Sequence, residues 1–293
     1  MVKPKDLVCI VFNYNAAEYL KKCLESILKQ ETRFSFEIVI IDDFSEDNSK
    51  KIYLDIKKKY DLKNIYFFST KKNTKNSQGG LKKIKELKKD VKHLLKAKYI
   101  YRINSDDYII DKNKFEKQIS FLEKNKNFVG VASKYKILKN NVLNKNEENV
   151  LTGHIKQSLI IKNIFFKKYC LYNHTATYIY RNIFESIVPP LMLNFTFIWG
   201  DNLLNFIMMN YGPIFVFDEY MSAYRINEKG IWTRLSKRKK FIYSKFLIFK
   251  IFFVLNFKHK LLFIYNFFNF IVIKPLRTLK KIIKKFLYYF KNL

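Results

Sequence analysis

"FEIVIIDDFSEDNS", residues 36–49, sets an unbroken apolar run against two adjacent carboxylates, Asp42 and Asp43, and then a polar turn. A continuous apolar run of this length predicts a strand buried on both faces, the habit of parallel sheets. Residues 7–12 (LVCIVF), 64–69 and 99–104 read the same way, and "YIYRINSDDYII", 99–110, ends on a second acid pair, Asp106 and Asp107. Helical patterns lie between these runs. After the first, Asn15 and Glu18 have capping-box spacing, and Ala17, Leu20, Leu24, Ile27 and Leu28 recur three and four apart. A lysine-rich stretch, 50–60, gives a second helix before the third strand. Strands alternating with helices predict an α/β fold with a mainly parallel central sheet.

In such sheets ligands bind outside the carboxyl ends of the strands. Asn13 and Tyr14 follow the first strand, Asp42 and Asp43 the second, and Asp106 and Asp107 the fourth. An acid at one strand end is ordinary turn chemistry. Three coincident ends point to a site. Two carboxylates about 4 Å apart repel by roughly 4 kcal/mol at an effective dielectric near 20, so a cation belongs with them. One carboxylate of such a pair can ligate Mg²⁺ or Mn²⁺ shared with phosphate oxygens while the other takes a hydroxyl. The residues after the first strand, FNYNAAEY, contain neither the dinucleotide-binding nor the P-loop glycine pattern, which excludes both classes. Lysines in NTKNSQGGLKK, 73–83, can neutralise phosphate or form a solvated helix face.

A chain of 293 residues that is 48% hydrophobic can fill a substantial core, which excludes a disordered basic tail. Cys9, Cys23 and Cys170 lie far apart without paired spacing, so neither a disulfide framework nor a zinc knuckle is expected, and a reducing cytosol fits. The first residues, MVKPKDLVCIVFNYN, do not read as a secretory signal. The charge of +31 is unevenly spread: residues 233–293 hold 16 Lys plus Arg and no Asp or Glu, leaving a surplus of 15 on residues 1–232.

The second half is less regular. Residues 128–133 (FVGVAS) predict another strand, 134–149 a polar loop rich in Asn and Lys, and 155–171 a variable surface. Residues 202–211 (NLLNFIMMNY) predict a helix stopped by Gly212 and Pro213, for which Asp201 is an N-cap candidate.

Six segments, in order along residues 1–232, together resemble the family 2 glycosyltransferases of the GT-A fold, in particular bacterial enzymes that build capsules and lipooligosaccharides. "VCIVFNYNAAEYLKKCLESILKQ" resembles the family's opening strand, turn and helix, "FEIVIIDDFSEDNS" its paired-Asp turn, and "YIYRINSDD" its D-x-D motif. "NHTATYIYR" resembles the acceptor-side segment, "IWGDNLL" the segment of the catalytic base, and "GPIFVFDEYMSAYRINEKGIW" the closing Y-R-x-H-x-x-G-x-W pattern. The resemblance implies a Rossmann-like nucleotide-binding sandwich with a donor half (1–110) and an acceptor half (111–232). It implies that Tyr14 and Asp43 contact the base, that Phe12 and Asn13 shape that pocket, that Asp106 lies near ribose or diphosphate, and that Asp107 binds Mn²⁺ or Mg²⁺. Asp201 is the implied general base of an inverting displacement from a nucleotide sugar, UDP being the commonest donor nucleotide of the family. His174, Trp199 and Trp232 are candidates for the acceptor site. His174 reads equally as a structural group, and the tryptophans as sugar platforms or core. Asn104, Gly200 and Asn227 depart from the family pattern, where Asp, Glu and His are usual.

Residues 241–270 alternate aromatic and aliphatic runs with lysines, and the longest charge-free stretch, 261–273, has 13 residues. That is too short to span the hydrocarbon layer as a helix, which takes about 20 residues. Residues 276–290 (LRTLKKIIKKFLYYF) set apolar residues at helical spacing against lysines, the pattern of a membrane-surface helix. The tail 233–293 is therefore expected to be basic, mostly helical, and to hold a cytoplasmic enzyme on the anionic inner face of the cell membrane, near a glycan or lipid-linked saccharide acceptor. Packing of the apolar faces on the catalytic domain is the alternative for the tail. Two other functions stand against this reading: a basic nucleic-acid-binding protein and a catalytically degenerate scaffold of the same fold. The first has no helix-turn-helix, zinc or RNP signature, so no nucleic acid is expected as a partner.

Overall fold

The computed structural model describes residues 5–71, 73, 96–145, 151–163, 174–183, 200–227, 230, 233–273, 275 and 280. Strands β1 (Leu7–Asn13), β2 (Phe36–Asp42), β3 (Ile65–Ser69) and β4 (Tyr99–Asn104) pair in parallel in the order β3-β2-β1-β4. The register sets Phe12 beside Ile41 on one flank and Asn104 on the other, so the ends of β1, β2 and β4, the last two leading into the acid pairs, finish level. Along β1, Leu7, Cys9 and Val11 face one side, with α1 (Ala17–Leu28), α2 (Ser49–Lys59) and α3 (Lys114–Lys124) packed there through Leu20, Leu24, Ile27, Tyr53, Ile56, Phe115, Ile119 and Leu122. Val8 and Ile10 face the other side with Val39, Ile41 and Ile100. Burial on both faces is the reason these strands carry unbroken apolar runs.

Beyond β4 the sheet becomes mixed, continuing β9 (Ile179–Arg181), β6 (Gly130–Lys139), β10 (Ile214–Arg225) and β5 (Tyr108–Ile109). β9 runs antiparallel to both β4 and β6, while β6 and β10 are parallel. β7 (Val142–Lys145) pairs with β6 and β8 (Gly153–Ile155) with β10. A second core lies here. It is formed by Ile160 and Ile161 of α4 (Gln157–Asn163), Leu203, Leu204 and Ile207 of α5 (Gly200–Met208), Leu247 and Ile251 of α6 (Lys237–Val254), and Phe263 of α7 (Phe257–Phe268). One side of each C-terminal helix therefore packs on the body, and among the described residues no helix is long and apolar enough to cross a membrane. Residues 276–279 and 281–293, most of the expected surface helix, lie outside the described residues.

Two local expectations are corrected. The Asn15–Glu18 capping box does not form: Asn15 is in the left-handed region at φ 44°, its Oδ1 accepts from the Glu46 amide, and Asp47 Oδ2 accepts from the Ala17 amide at 2.8 Å. The helix start is thus capped from the β2–α2 loop. Residues 134–145 are a hairpin, not a loop. Tyr135 and Leu138 are buried in the extension of β6, and Asn140 and Asn141, at φ 49° and 61°, make the two-residue reversal into β7. The alternation in KYKIL was a period-two signal outweighed by its lysines.

Candidate active site

At the carboxyl edge of the parallel strands the two acids of each pair have different surroundings. Asp42 faces inward. Its Oδ1 accepts from Asn13 Nδ2 at 2.7 Å and Ser45 Oγ at 2.5 Å, and its Oδ2 from the Ser45 amide at 2.9 Å and Ser69 Oγ at 3.1 Å. This carboxylate fastens three strand ends together. Asp43 is also buried; its amide donates to the Asn13 carbonyl at 2.9 Å, and its Oδ1 accepts from Thr70 Oγ1 at 3.4 Å. Phe44 follows at φ 60°, a strained position for a bulky residue, with its ring exposed. Of the β1 residues expected in a base pocket, Asn13 is buried and bonded to Asp42, Phe12 is half-buried with the Arg102 guanidinium 6.0 Å from its ring, and Tyr14 is 44% exposed.

The second pair is held from the far side of the sheet. Asp107, 1% exposed, accepts at Oδ1 from the Arg225 amide at 3.0 Å, and its Oδ2 is 3.5 Å from His174 Nδ1. Arg225 Nε donates to the Asp106 carbonyl at 3.1 Å, and its guanidinium lies 4.4 Å from the Tyr19 ring centre. Burial, then the neighbouring Asp107 charge, pushes the Asp106 carboxyl up to about 7, against the opposing pull of His174 and Arg225. The same two acids act on Tyr224, whose hydroxyl is raised to about 12 mainly by burial. Cys23, packed beneath, has its thiol raised well above the usual range by burial and by Asp107 and Asp106.

His174 opens a short 3₁₀ turn, Thr175–Thr177, and stacks on Tyr224 at 4.2 Å between ring centres. The turn is tightly fixed. The Ala176 carbonyl accepts from Tyr101 Oη at 3.0 Å and Ser222 Oγ at 2.7 Å, and the Thr177 carbonyl accepts from Lys114 Nζ at 2.9 Å and Gln118 Nε2 at 3.1 Å. Lys114 is fully buried, and desolvation lowers its ammonium to about 7. His174, expected on the acceptor side, thus stands against Asp107.

Asp201, expected to cap this helix, is not at its cap position: α5 begins one residue earlier, at Gly200, and Asp201 is the second residue of its first turn. Trp199 and Trp232 lie outside the described residues. Sequence reasoning did not assign Arg225, Tyr224, Lys114 or Gln118 to the site. The signal for the last two was present: they sit four apart on the apolar face of α3 beside Phe115, Ile119 and Leu122, where a polar residue needs a buried partner.

A doubly layered α/β sandwich with acids converging beyond its parallel strands defines the GT-A class of glycosyltransferase folds. Residues 8–187 match the profile of Glycosyl transferase family 2, and the chain belongs to that family. Among relatives, it is 25% identical over 244 residues to an uncharacterized glycosyltransferase of Methanocaldococcus jannaschii, covering 82% of this chain and 78% of that one. An uncharacterized glycosyltransferase of Mycoplasma genitalium is 34% identical over 113 residues, 38% of this chain and 35% of that one. A teichoic acid poly(glycerol phosphate) polymerase of Staphylococcus epidermidis is 46% identical over 68 residues, 23% of this chain; the match spans only 9% of that protein. Among solved structures, S. aureus TarS 1–349 in complex with UDP superimposes with a TM-score of 0.57 at 19% identity, covering 85% of this chain and 65% of that one. The mannosyltransferase PcManGT of Pyrobaculum calidifontis, in complex with GDP-Man and Mn²⁺, gives 0.53 at 10% identity over 78% of this chain and 59% of that one. At these identities the likeness shows the fold.

Proposed function

We propose that this chain is an inverting glycosyltransferase that moves a sugar from a nucleotide-diphosphate sugar, with UDP the favoured nucleotide, to a hydroxyl of a surface-glycan precursor. The observation that carries this reading is the convergence of Asp43, Asp106, Asp107 and Arg225 on one edge of the parallel sheet. UDP in TarS and GDP-Man with Mn²⁺ in PcManGT support a nucleotide-sugar donor and a divalent cation. The teichoic acid polymerase match supports a cell-surface product.

The donor set fits Mn²⁺ or Mg²⁺. Among the described residues no group of three or more His, Cys, Asp or Glu side chains is gathered to hold an ion by itself, and the Nδ1 of His174 already accepts from the Ala176 amide; what the chain offers is the hard carboxylate oxygens of Asp106 and Asp107, with the donor diphosphate completing the set as is usual for Mg²⁺. Asp107 would hold the ion, with Asp106 turned to ribose or diphosphate. When bound, the cation supplies positive charge for the departing diphosphate. The residues of the chain do the rest. Tyr14 and Asp43 seat the base, with Phe12 and Asn13 behind them. Asp201 takes the proton of the acceptor hydroxyl as its oxygen bonds to the anomeric carbon, and the bond from that carbon to the diphosphate oxygen breaks with inversion. Trp199 and Trp232 are assigned to the acceptor side. The tail places the enzyme on the inner face of the cell membrane.

The test is a calorimetric titration with UDP, GDP and CDP, each with and without Mn²⁺, on the wild type and on Asp107→Ala. Cation-dependent binding of one nucleotide, lost in the variant, is expected. Binding of none of the three overturns the reading.

A further inference from the structure

The C-terminal helix α7 has an apolar face on each side. Phe263 packs inward with Leu262, while Phe257, Leu261, Ile264, Tyr265, Phe267 and Phe268 are exposed, Phe257 by 76%. At 3.6 residues per turn the exposed set spreads over about 160° of the helix circumference, a little under half, with Lys258 just past one edge and Lys260 near the other. An exposed apolar stripe edged by lysines is the layout of a helix lying in a lipid interface, where lysine stems cover apolar surface and their heads reach the headgroups. The charge names the partner, since residues 233–293 carry 16 basic and no acidic side chains. A second copy docked on the same stripe would bring these lysines together, and their repulsion disfavours it.

We propose that α7 docks this protein on an anionic lipid surface, with the stripe from Phe257 to Phe268 inserted and Lys258 and Lys260 at headgroup level. The docking also orients the site. Asn210, just past the end of α5, donates through Nδ2 to the Val254 carbonyl at 2.7 Å and accepts from the Asn256 amide at 3.2 Å, tying α5 to the α6–α7 elbow. Asp201 lies at the opposite end of α5, roughly 13 Å away at about 1.5 Å per residue. Resting on the function proposed above, this places the acceptor-side helix beside the bilayer and makes a lipid-carried acceptor the substrate class.

The experiment is flotation of the full chain with vesicles of phosphatidylcholine plus phosphatidylglycerol, and with phosphatidylcholine alone. The comparison variant is Phe257→Ser/Leu261→Ser/Ile264→Ser/Phe268→Ser, at exposed positions where the fold is not at stake. The wild type is expected to bind the anionic vesicles, and the variant to bind at least about a hundredfold more weakly. Lys258→Glu/Lys260→Glu should weaken binding by about fivefold or more per lysine. In a Cys170→Ser background, an environment-sensitive dye on Ile264→Cys should shift to the blue with anionic vesicles, and the same dye on Leu54→Cys of α2 should not. Equal binding by wild type and the quadruple variant, a wild type that does not bind, or a stripe-dependent dimer by light scattering overturns the proposal. Calorimetric nucleotide binding, followed separately, distinguishes failure of the donor site from failure of the docking face.

Discussion

The backbone amide of Arg225 donates to Oδ1 of Asp107 at 3.0 Å, joining residues 118 positions apart. Through it the end of β10 closes on the end of β4 and fixes the acid assigned to the cation. Asp107→Asn keeps an acceptor oxygen for that amide and removes one of two crowded charges. The melting temperature is expected to hold or rise, while cation-dependent nucleotide affinity falls by about tenfold to a hundredfold, the scale of one charge-assisted contact. Thermal melts and calorimetry check both, and unchanged affinity removes Asp107 from the cation site.

Asp42 and Asp43 are expected to separate stability from binding. Asp42 accepts four hydrogen bonds inside the β1–β2–β3 edge, so Asp42→Ala leaves several buried donors unmatched and should cost about 3 kcal/mol or more in urea unfolding. Asp43→Ala should cost about 1 kcal/mol and act mainly on nucleotide affinity. If both variants behave alike, the division between frame and contact is wrong.

The parallel part of the sheet was legible because its strands are buried on both faces and the acids stand at the ends, so periodicity and punctuation agree at Asp42, Asp43, Asp106 and Asp107. The rest of the site is built from long-range contacts. His174 reaches Asp107 only because Lys114, Gln118, Tyr101 and Ser222 fix its turn, and no local pattern joins those four positions. The helix cap at Ala17 was missed for the same reason, since Asp47 arrives from another loop. In the tail, the amphipathic spacing read in 276–290 falls almost wholly outside the described residues, and which face of α7 is covered depends on the second core against which Phe263 packs.

Lys114 gives a pH signature. Burial lowers its ammonium from 10.5 to about 7 in the folded protein, so between those values the unfolded chain binds more protons than the native one. Stability should therefore rise with pH from about 7 to about 10.5, by up to about 1.4 kcal/mol per pH unit from this group, and be lost as pH falls through the folded value. Lys114→Met, which keeps the length and apolar stem, should flatten that slope. Urea unfolding across the range measures it, and a variant with the wild-type slope rejects the neutral buried amine.

Asp201 is in the first turn of α5, where a carboxylate is favoured by the helix dipole, and it is also the proposed general base. The two roles predict different kinetics. Asp201→Asn retains the shape of the side chain but cannot take a proton at neutral pH. As a base, Asp201 should leave nucleotide affinity and melting temperature near those of the wild type after this change, and turnover should fall by roughly 10² to 10⁴. As a first-turn carboxylate alone, the change should leave turnover within a few-fold, and Asp201→Ala should lower stability by about 0.3–1 kcal/mol. Sugar transfer under donor saturation, with melts of both variants, decides between them: a large loss of turnover at constant affinity identifies the base, and parallel small losses identify a role at the helix end.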